Sequence, residues 1–344
     1  MALGLIHDPV FQEHDPGSYH CESPNRLVAL DQALRTWPGL EKTVQVPLRE
    51  ARVGELTLSH MPHHIKRVAS THGKRVALDP DTGACPVSYK VALTAVGTLL
   101  DLCTMAVNGE VEHGAALLRP PGHHATPDRA MGFCFFNNVA LAATHLIHNH
   151  KLERVLVADF DVHHGNGTEE IFYYDHRVLY FSLHQSPFYP GTGPVNSVGL
   201  ASGKGYTLNV PLPAGLGDQD YIRIFEDLLL PVARQYKPQF ILVSAGYDAH
   251  REDPLGGMYV SSLGFAALTR ILMEISEEFC PGKIVMSLEG GYDPPALGRA
   301  VVACLEALTG DTGADALRKA HENADKPQAL IKALKMAGKF WSLP

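Results

Sequence analysis

The chain has 344 residues, 45% of them hydrophobic, and its 29 Lys and Arg against 37 Asp and Glu leave a formal charge of −8. That length buries a substantial core, a charged content of 19% excludes a disordered polyelectrolyte, and the acidic balance argues against nucleic acid or an anionic membrane as the main partner. Six scattered cysteines without a CxxC pair argue against a disulfide scaffold or a thiolate zinc site and fit a reducing cytoplasm; no apolar stretch approaches the roughly 18 residues of a membrane span, and Met1-Ala2-Leu3-Gly4-Leu5-Ile6-His7 reaches a charge too soon for a signal-peptide core.

Along the chain, short apolar runs end in polar clusters. Residues 115–119 lead into Pro120-Pro121-Gly122-His123-His124, and residues 154–160 into Asp161-Val162-His163-His164-Gly165-Asn166-Gly167. Residues 178–183 precede His184. Tyr221, Ile222, Phe225, Leu228, Leu229 and Val232 then form one helical stripe. Residues 240–245 lead into Gly246-Tyr247-Asp248, and residues 284–288 into Glu289-Gly290-Gly291-Tyr292. Asp293 as N-cap and Pro294 at the first helical position predict a helix that Gly310 stops, with Leu297, Ala300, Val301, Cys304, Leu305 and Leu308 as its apolar stripe. Continuous apolar runs read as strands buried on both faces, and their alternation with helices predicts an α/β fold with a parallel sheet and right-handed crossovers. No repeat, low-complexity tract or linker interrupts the pattern, so one domain is expected over 1–344, with its core to about residue 310 and a tail over 311–344.

Each cluster follows the carboxyl end of a strand, the edge where open α/β sheets bind ligands. Asp159, Asp161 and His163 are two residues apart and face one way at a strand end. They suit Zn²⁺ or another borderline divalent ion if a third ligand arrives, and equally suit helix capping around the GNG turn. Asp248 offers that third ligand. Gly165-Asn166-Gly167 also resembles part of a dinucleotide turn, but Glu169 and Glu170 at the helix start would repel a pyrophosphate. His123-His124 on a stiff Pro-Pro-Gly turn is placed for acid–base work or is a satisfied structural pair. His63-His64 has no other signature near it and reads as surface or cap. Tyr292 after two glycines could donate to an oxyanion, or be a turn residue. GxSxG and HExxH are both missing.

Taken together, RPPGHH, GFCFFNN, DFDVHHGNGT, SLH with FYPGTG, SAGYDAHREDPLG and EGGY stand in the order seen in the arginase/deacetylase superfamily. The chain resembles zinc-dependent histone deacetylases, specifically their class II and bacterial deacetylase-like branch, from about the first strand to Gly310. The resemblance implies an arginase/deacetylase-like domain with a mainly parallel eight-stranded sheet flanked by helices. It implies Asp161, His163 and Asp248 as zinc ligands, with Fe²⁺ as the alternative ion in the cell. His123 and His124 match the tandem histidines, His124 being the general base and acid. Asp159 matches the carboxylate behind His123, Asn166 the residue behind His124, and Tyr292 the oxyanion donor. Phe133 and Tyr189 match the walls of a lysine tunnel also lined by Gly132, Leu255 and Gly290. Arg26 matches the arginine of an internal cavity beneath the metal. One K⁺ site would use Asp159, Asp161, His163, Ser182 and Leu183, and a second Phe172, Asp175, Val178 and Tyr206, largely through carbonyls.

The implied reaction is hydrolysis of N-ε-acyl-lysine in a peptide or protein to free lysine and acetate. Four methylenes buried between Phe133 and Tyr189 would contribute about 3 kcal/mol, and a charged ammonium at that depth would lose its hydration. Polyamine deacetylases of the class IIb type resemble DPEG where this chain has Asp253-Pro254-Leu255-Gly256. Leu255 cannot pair with a second amine, so acyl-lysine is favoured over acetylpolyamine. A non-hydrolysing acyl-lysine reader would be expected to lack Tyr292 or His124, and a binuclear-manganese ureohydrolase needs bridging aspartates where His164 and Asn166 stand. Neither nucleic acid nor membrane is an expected partner; assembly into a homo-oligomer is left open.

Overall fold

The apolar runs pair into one sheet. In the computed structural model, which describes residues 2–320 and 325–343, ten strands occur among the described residues: β1 (Gly4–Ile6), β2 (Val44–Gln45), β3 (Val76–Ala77), β4 (Gly83–Ala84), β5 (Gly114–Ala116), β6 (Val155–Asp159), β7 (Val178–Gln185), β8 (Thr207–Leu212), β9 (Phe240–Ala245) and β10 (Ile284–Leu288). Eight form the main sheet in the order β2-β1-β5-β10-β9-β6-β7-β8, and β3 and β4 form a separate antiparallel hairpin. Every pairing in the main sheet is parallel. All residues of β6, β9 and β10 are buried, so helices must cover both faces, as a parallel sheet requires. Ser88–Asn108 packs on Asn138–Asn149, while Pro294–Leu308 packs between Asn25–Thr36 and Ser262–Phe279.

Register places the chemistry. Ser182, Asp159, Ser244, Ser287 and Ala116 lie side by side across β7, β6, β9, β10 and β5. The polar clusters begin at or just beyond this row, so five separate stretches of chain reach one edge.

Several boundaries differ from expectation for identifiable reasons. β5 stops at Ala116 rather than Arg119, because Arg119 leaves the ladder to ion-pair with buried Glu22, its terminal nitrogen 2.9 Å from Oε2. β7 runs two residues longer, to Gln185. The helical stripe over 221–232 widens at Phe225–Leu229, where Leu230 N–H reaches back to the Phe225 carbonyl. Pro231 lacks the N–H that would continue a regular helix, and one wide turn relieves its ring. Asp293 caps its helix as expected, accepting from Ala296 N at 2.8 Å. The expectation that no segment has membrane-span length needs correction. Ser88–Asn108 passes by length and composition, yet 67% of that window is buried, against β1, β5, β10 and a neighbouring helix, so it is a core helix here. The tail, unreadable from sequence, places Gln328–Ala337 on the edge strand β8 and buries Ala329, Leu330, Ala333 and Ala337. All six cysteines are free.

Candidate active site

The turn after β6 is built by carboxylates that accept backbone N–H groups. Asp161 N donates to Asp159 Oδ1 at 3.2 Å, His163 N to Asp161 Oδ1 at 2.9 Å, and Val162 N to Asp248 Oδ1 at 2.8 Å. Gly290 N donates to Asp161 Oδ2 at 2.8 Å. The capping alternative does not hold, because the helix Asn166–Phe172 starts at Gly165 with no side-chain cap; the carboxylates instead shape the turn and converge. Asp161, His163 and Asp248 each offer a ligand atom, and these lie within 4.8 Å of one another. His163 Nδ1 is 3.1 Å from both Asp161 Oδ1 and Asp248 Oδ2. A Cβ on Gly246 would strike Asp161, and one on Gly290 would strike Asp248, so only glycine lets these strand ends close on the cluster.

Electrostatics among the protein's own groups fit a cation there. Burial and the neighbouring Asp161 push the Asp248 carboxyl up. Burial opposes charge on His163, but hydrogen bonds to Asp161 and Asp248 outweigh it and raise the imidazole to about 10. Two buried carboxylates and an imidazole, three ligands in all, suit a borderline divalent ion that keeps an open position. The dinucleotide reading of Gly165-Asn166-Gly167 does not survive. Gly165 abuts Asp159 and Tyr180, and Gly167 abuts the Ala125 carbonyl, so both glycines serve internal packing.

The tandem histidines are held from behind. Glu289 Oε2 accepts from Gly122 N at 2.6 Å and from His123 N at 3.2 Å, which locks the Pro-Pro-Gly turn. His123 Nδ1 lies 3.1 Å from Asp159 Oδ2, which also accepts from the Tyr180 hydroxyl, and His124 Nδ1 lies 2.8 Å from Asn166 Oδ1. The rings, 4.0 Å apart, are driven to opposite protonation states. Burial disfavours charge on His123, yet Asp161, Asp159 and Glu289 raise it to about 10. Burial, then the His123 and His163 charges, hold His124 well below the ordinary imidazole range. Separating two titratable groups in this way sorts a proton acceptor from a positive charge.

Both histidines face a cavity of about 180 Å³ lined also by Pro121, His163, Gly132, Phe133, Tyr189, Leu255, Gly290, Tyr292 and Asp81. All five expected tunnel residues are thus together. Phe133 adopts φ 68, while a Cβ on Gly132 would strike the His124 ring. Arg26 lies behind Tyr292, its guanidinium carbon 5.0 Å from the ring centroid, with Nε donating to the Gly291 carbonyl at 2.7 Å. Burial, then Asp248, keep the Tyr292 hydroxyl protonated well above its usual range. In the first cation set Asp159 pairs with Ser182 across adjacent β6 and β7, Leu183 is next on β7, and Asp161 and His163 lie in the turn beyond β6. In the second, the carbonyls of Phe172, Asp175 and Tyr206 accept from Asp175, Val178 and Tyr180 N–H groups, which leaves each a second lone pair.

Sequence reasoning missed Asp81, which lines the cavity and whose Oδ1 accepts from Gly132 N at 3.1 Å. It missed the orienting role of Glu289, although a glutamate closing an apolar strand was a usable signal. It also misread His64. His63 is exposed, but His64 is buried, with Nε2 2.9 Å from the Phe135 carbonyl and its ring edge-on to Phe136. Its place on the inner face of Pro62–Ala69 explains the error: adjacent helical residues point in different directions.

The fold and this cluster define a parallel α/β domain with a buried Asp-His-Asp metal-type site under a narrow aromatic cavity. A histone deacetylase domain model matches residues 20–308, and the chain belongs to the histone deacetylase family. It is similar to Histone deacetylase 5 of Arabidopsis thaliana, 38% identical over 328 residues, covering 90% of this chain and 49% of that one. A Probable deacetylase of Archaeoglobus fulgidus is 36% identical over 295 residues, covering 85% of this chain and 82% of that one. The crystal structure of the HDA15 HD domain superposes with a TM-score of 0.90 at 36% identity, covering 99% and 95% of the two chains. The chain spans about half the length of the plant relatives it matches, 49% and 48% for two of them.

Proposed function

We propose that this protein is a zinc-dependent hydrolase of N-ε-acyl-lysine in peptides or proteins. The observation that carries the reading is the convergence of Asp161, His163 and Asp248 beside His124 and Tyr292 in one narrow cavity. A divalent ion held by those three ligands would supply Lewis-acid polarisation of the acyl carbonyl and lower the pKa of a water molecule.

The chain's own residues do the rest. Phe133 and Tyr189 hold the four methylenes of the side chain and exclude water. Asn166 accepts Nδ1–H of His124, which leaves the Nε2 lone pair free to take a proton from the attacking water. Tyr292 donates its hydroxyl proton in a hydrogen bond to the oxyanion. His124 returns the proton to the departing lysine nitrogen as the C–N bond breaks, giving free amine and acetate. His123, held by Asp159, keeps one ring orientation beside His124. We extend the reading to two K⁺ sites: Asp159, Asp161, His163, Ser182 and Leu183 near the metal, and Phe172, Asp175, Val178 and Tyr206 farther off.

The test compares kcat/KM for an acetyl-lysine peptide and for N-acetylputrescine, using zinc-loaded and chelated protein. Peptide preference that disappears on chelation and returns with zinc is the expected result. Polyamine preference would replace the substrate class. Failure to cleave either, with the peptide still bound, would favour a reader of acyl-lysine.

Leu255 gives a second test, because it lines the cavity and is 37% exposed. Leu255→Glu places a carboxylate where the distal ammonium of an acetylpolyamine would pass. An exposed ion pair is weak, so kcat/KM for N-acetylspermidine should rise only about fivefold while the neutral peptide gains nothing. No change in the ratio of the two substrates would remove Leu255 from specificity.

A further inference from the structure

The wall of the tunnel is carried by a loop between β7 and β8. Residues 186–193 bring Phe188 against His163, stacked at 5.0 Å between ring centroids, and Tyr189 edge-on to His124 at 5.1 Å. The loop starts from the sheet: Gln185 N donates to the Val162 carbonyl at 2.8 Å, and Ser186 N to the Leu212 carbonyl at 2.7 Å. Its far end meets two buried histidines that the hydrolytic scheme does not use, each 1% exposed. His164 Nδ1 lies 2.7 Å from Thr192 Oγ1, and His184 Nε2 lies 3.0 Å from the Gly193 carbonyl.

Each histidine is itself fixed. His164 Nε2 lies 3.1 Å from Glu169 Oε2, and Glu169 also accepts from Ser197 Oγ and Asn209 Nδ2. A carboxylate there takes Nε2–H, so the ring is held with Nδ1 turned to the Thr192 hydroxyl. His184 donates Nε2–H to the Gly193 carbonyl and accepts from Ser182 Oγ at Nδ1, 2.9 Å away. The loop approaches so closely that a Cβ on Gly193, whose φ is +76, would lie 2.6 Å from His164 and 2.7 Å from His184.

We propose that His164 and His184 are positioning residues for substrate binding: through Thr192 and Gly193 they fix the loop that carries Phe188 and Tyr189, and so set KM rather than the chemical step. The inference rests on the acyl-lysine reading of the cavity. His164 follows a metal ligand in sequence, but its side chain serves the tunnel wall. Glu169, Ser197 and Asn209 act one step further back, as the support that keeps the His164 ring aimed at Thr192.

Thr192 is exposed, so substituting it tests the clamp without touching His163 or the core. Thr192→Val keeps the shape and removes the hydroxyl; Thr192→Ser keeps the hydroxyl. For the acetyl-lysine peptide, Thr192→Val should raise KM about fivefold, the effect of one hydrogen bond, with kcat nearly unchanged. Thr192→Ser should behave as the parent. In a Tyr189→Ala background the effect of Thr192→Val should vanish, because the hydroxyl acts through that ring. Amide hydrogen exchange over residues 186–193 needs no turnover and reads the clamp even if the acyl-lysine reading fails. It should be faster in Thr192→Val alone. Unchanged exchange and KM in Thr192→Val, or an equal loss of kcat in the Val and Ser variants, would overturn the proposal.

Discussion

Asp248→Asn should cost at least about 10³-fold in kcat/KM, because a Lewis-acid site supplies several kcal/mol to the transition state and each 1.36 kcal/mol is a factor of ten. The same substitution should abolish stabilisation by zinc. For the parent protein, free zinc at about 100 times its Kd adds about 2.7 kcal/mol, which raises Tm by about 4 °C at the roughly 1.4 °C per kcal/mol that a domain of this length implies. The variant's Tm should be the same with zinc as with chelator. Without metal, the variant should lie within about 1 kcal/mol of the parent. Asn retains an acceptor for Val162 N, which now reaches Asp248 Oδ1 at 2.8 Å, and it removes one of two buried carboxylates whose repulsion pushes Asp248 up. Differential scanning fluorimetry with and without chelator separates the cases. A parent Tm indifferent to zinc would sink the metal site. A variant that unfolds in either condition would make Asp248 a structural residue.

The middle of the fold was legible because its strands are buried on both faces. Phe240–Ala245 and Ile284–Leu288 follow the apolar runs without slippage. The edges were not. β1 and β2 have three and two residues, too few for a pattern, and β8 carries Asn209 and Pro211 among its apolar residues. Ser88–Asn108 is buried over most of its surface, so its apolar residues form no one-sided stripe for a periodicity argument to find.

The site divides along the same line. Asp159, Asp161 and His163 could be grouped because neighbours two apart at a strand end face alike. Bringing in Asp248 and Tyr292 required parallel strands in register, and that order is invisible locally. A glutamate closing the apolar run 284–288 signals a buried carboxylate with a task, but which N–H groups it accepts from, those of Gly122 and His123, depends on β5 and β10 lying side by side. The clamp on the tunnel wall was hidden more completely. His164, His184 and Thr192 are apart in the chain, and each reads alone as an ordinary polar residue beside a better motif.

Tyr292→Phe should lower kcat for the acetyl-lysine peptide about 10²–10³-fold, the usual cost of one oxyanion donor, with KM nearly unchanged. Phenylalanine keeps what positions the ring: Arg26 over one face at 5.0 Å and Phe133 edge-on at 6.0 Å. The backbone N–H of residue 292 also keeps Asp253 Oδ2 as its acceptor, 2.5 Å away. The loop therefore stays where it is, and the loss falls on the hydroxyl. Burial and Asp248 hold that hydroxyl protonated far above neutral pH, so it is a donor throughout the working range, and the deficit should be the same at every pH at which the parent is active. An equal fall in kcat and kcat/KM means an interaction made only in the transition state. A rise in KM alone would make Tyr292 a wall of the tunnel rather than a participant in the reaction. A wild-type rate would leave the oxyanion to the metal ion, and the geometry that sets Tyr292 beside His124 and His163 would then serve binding only.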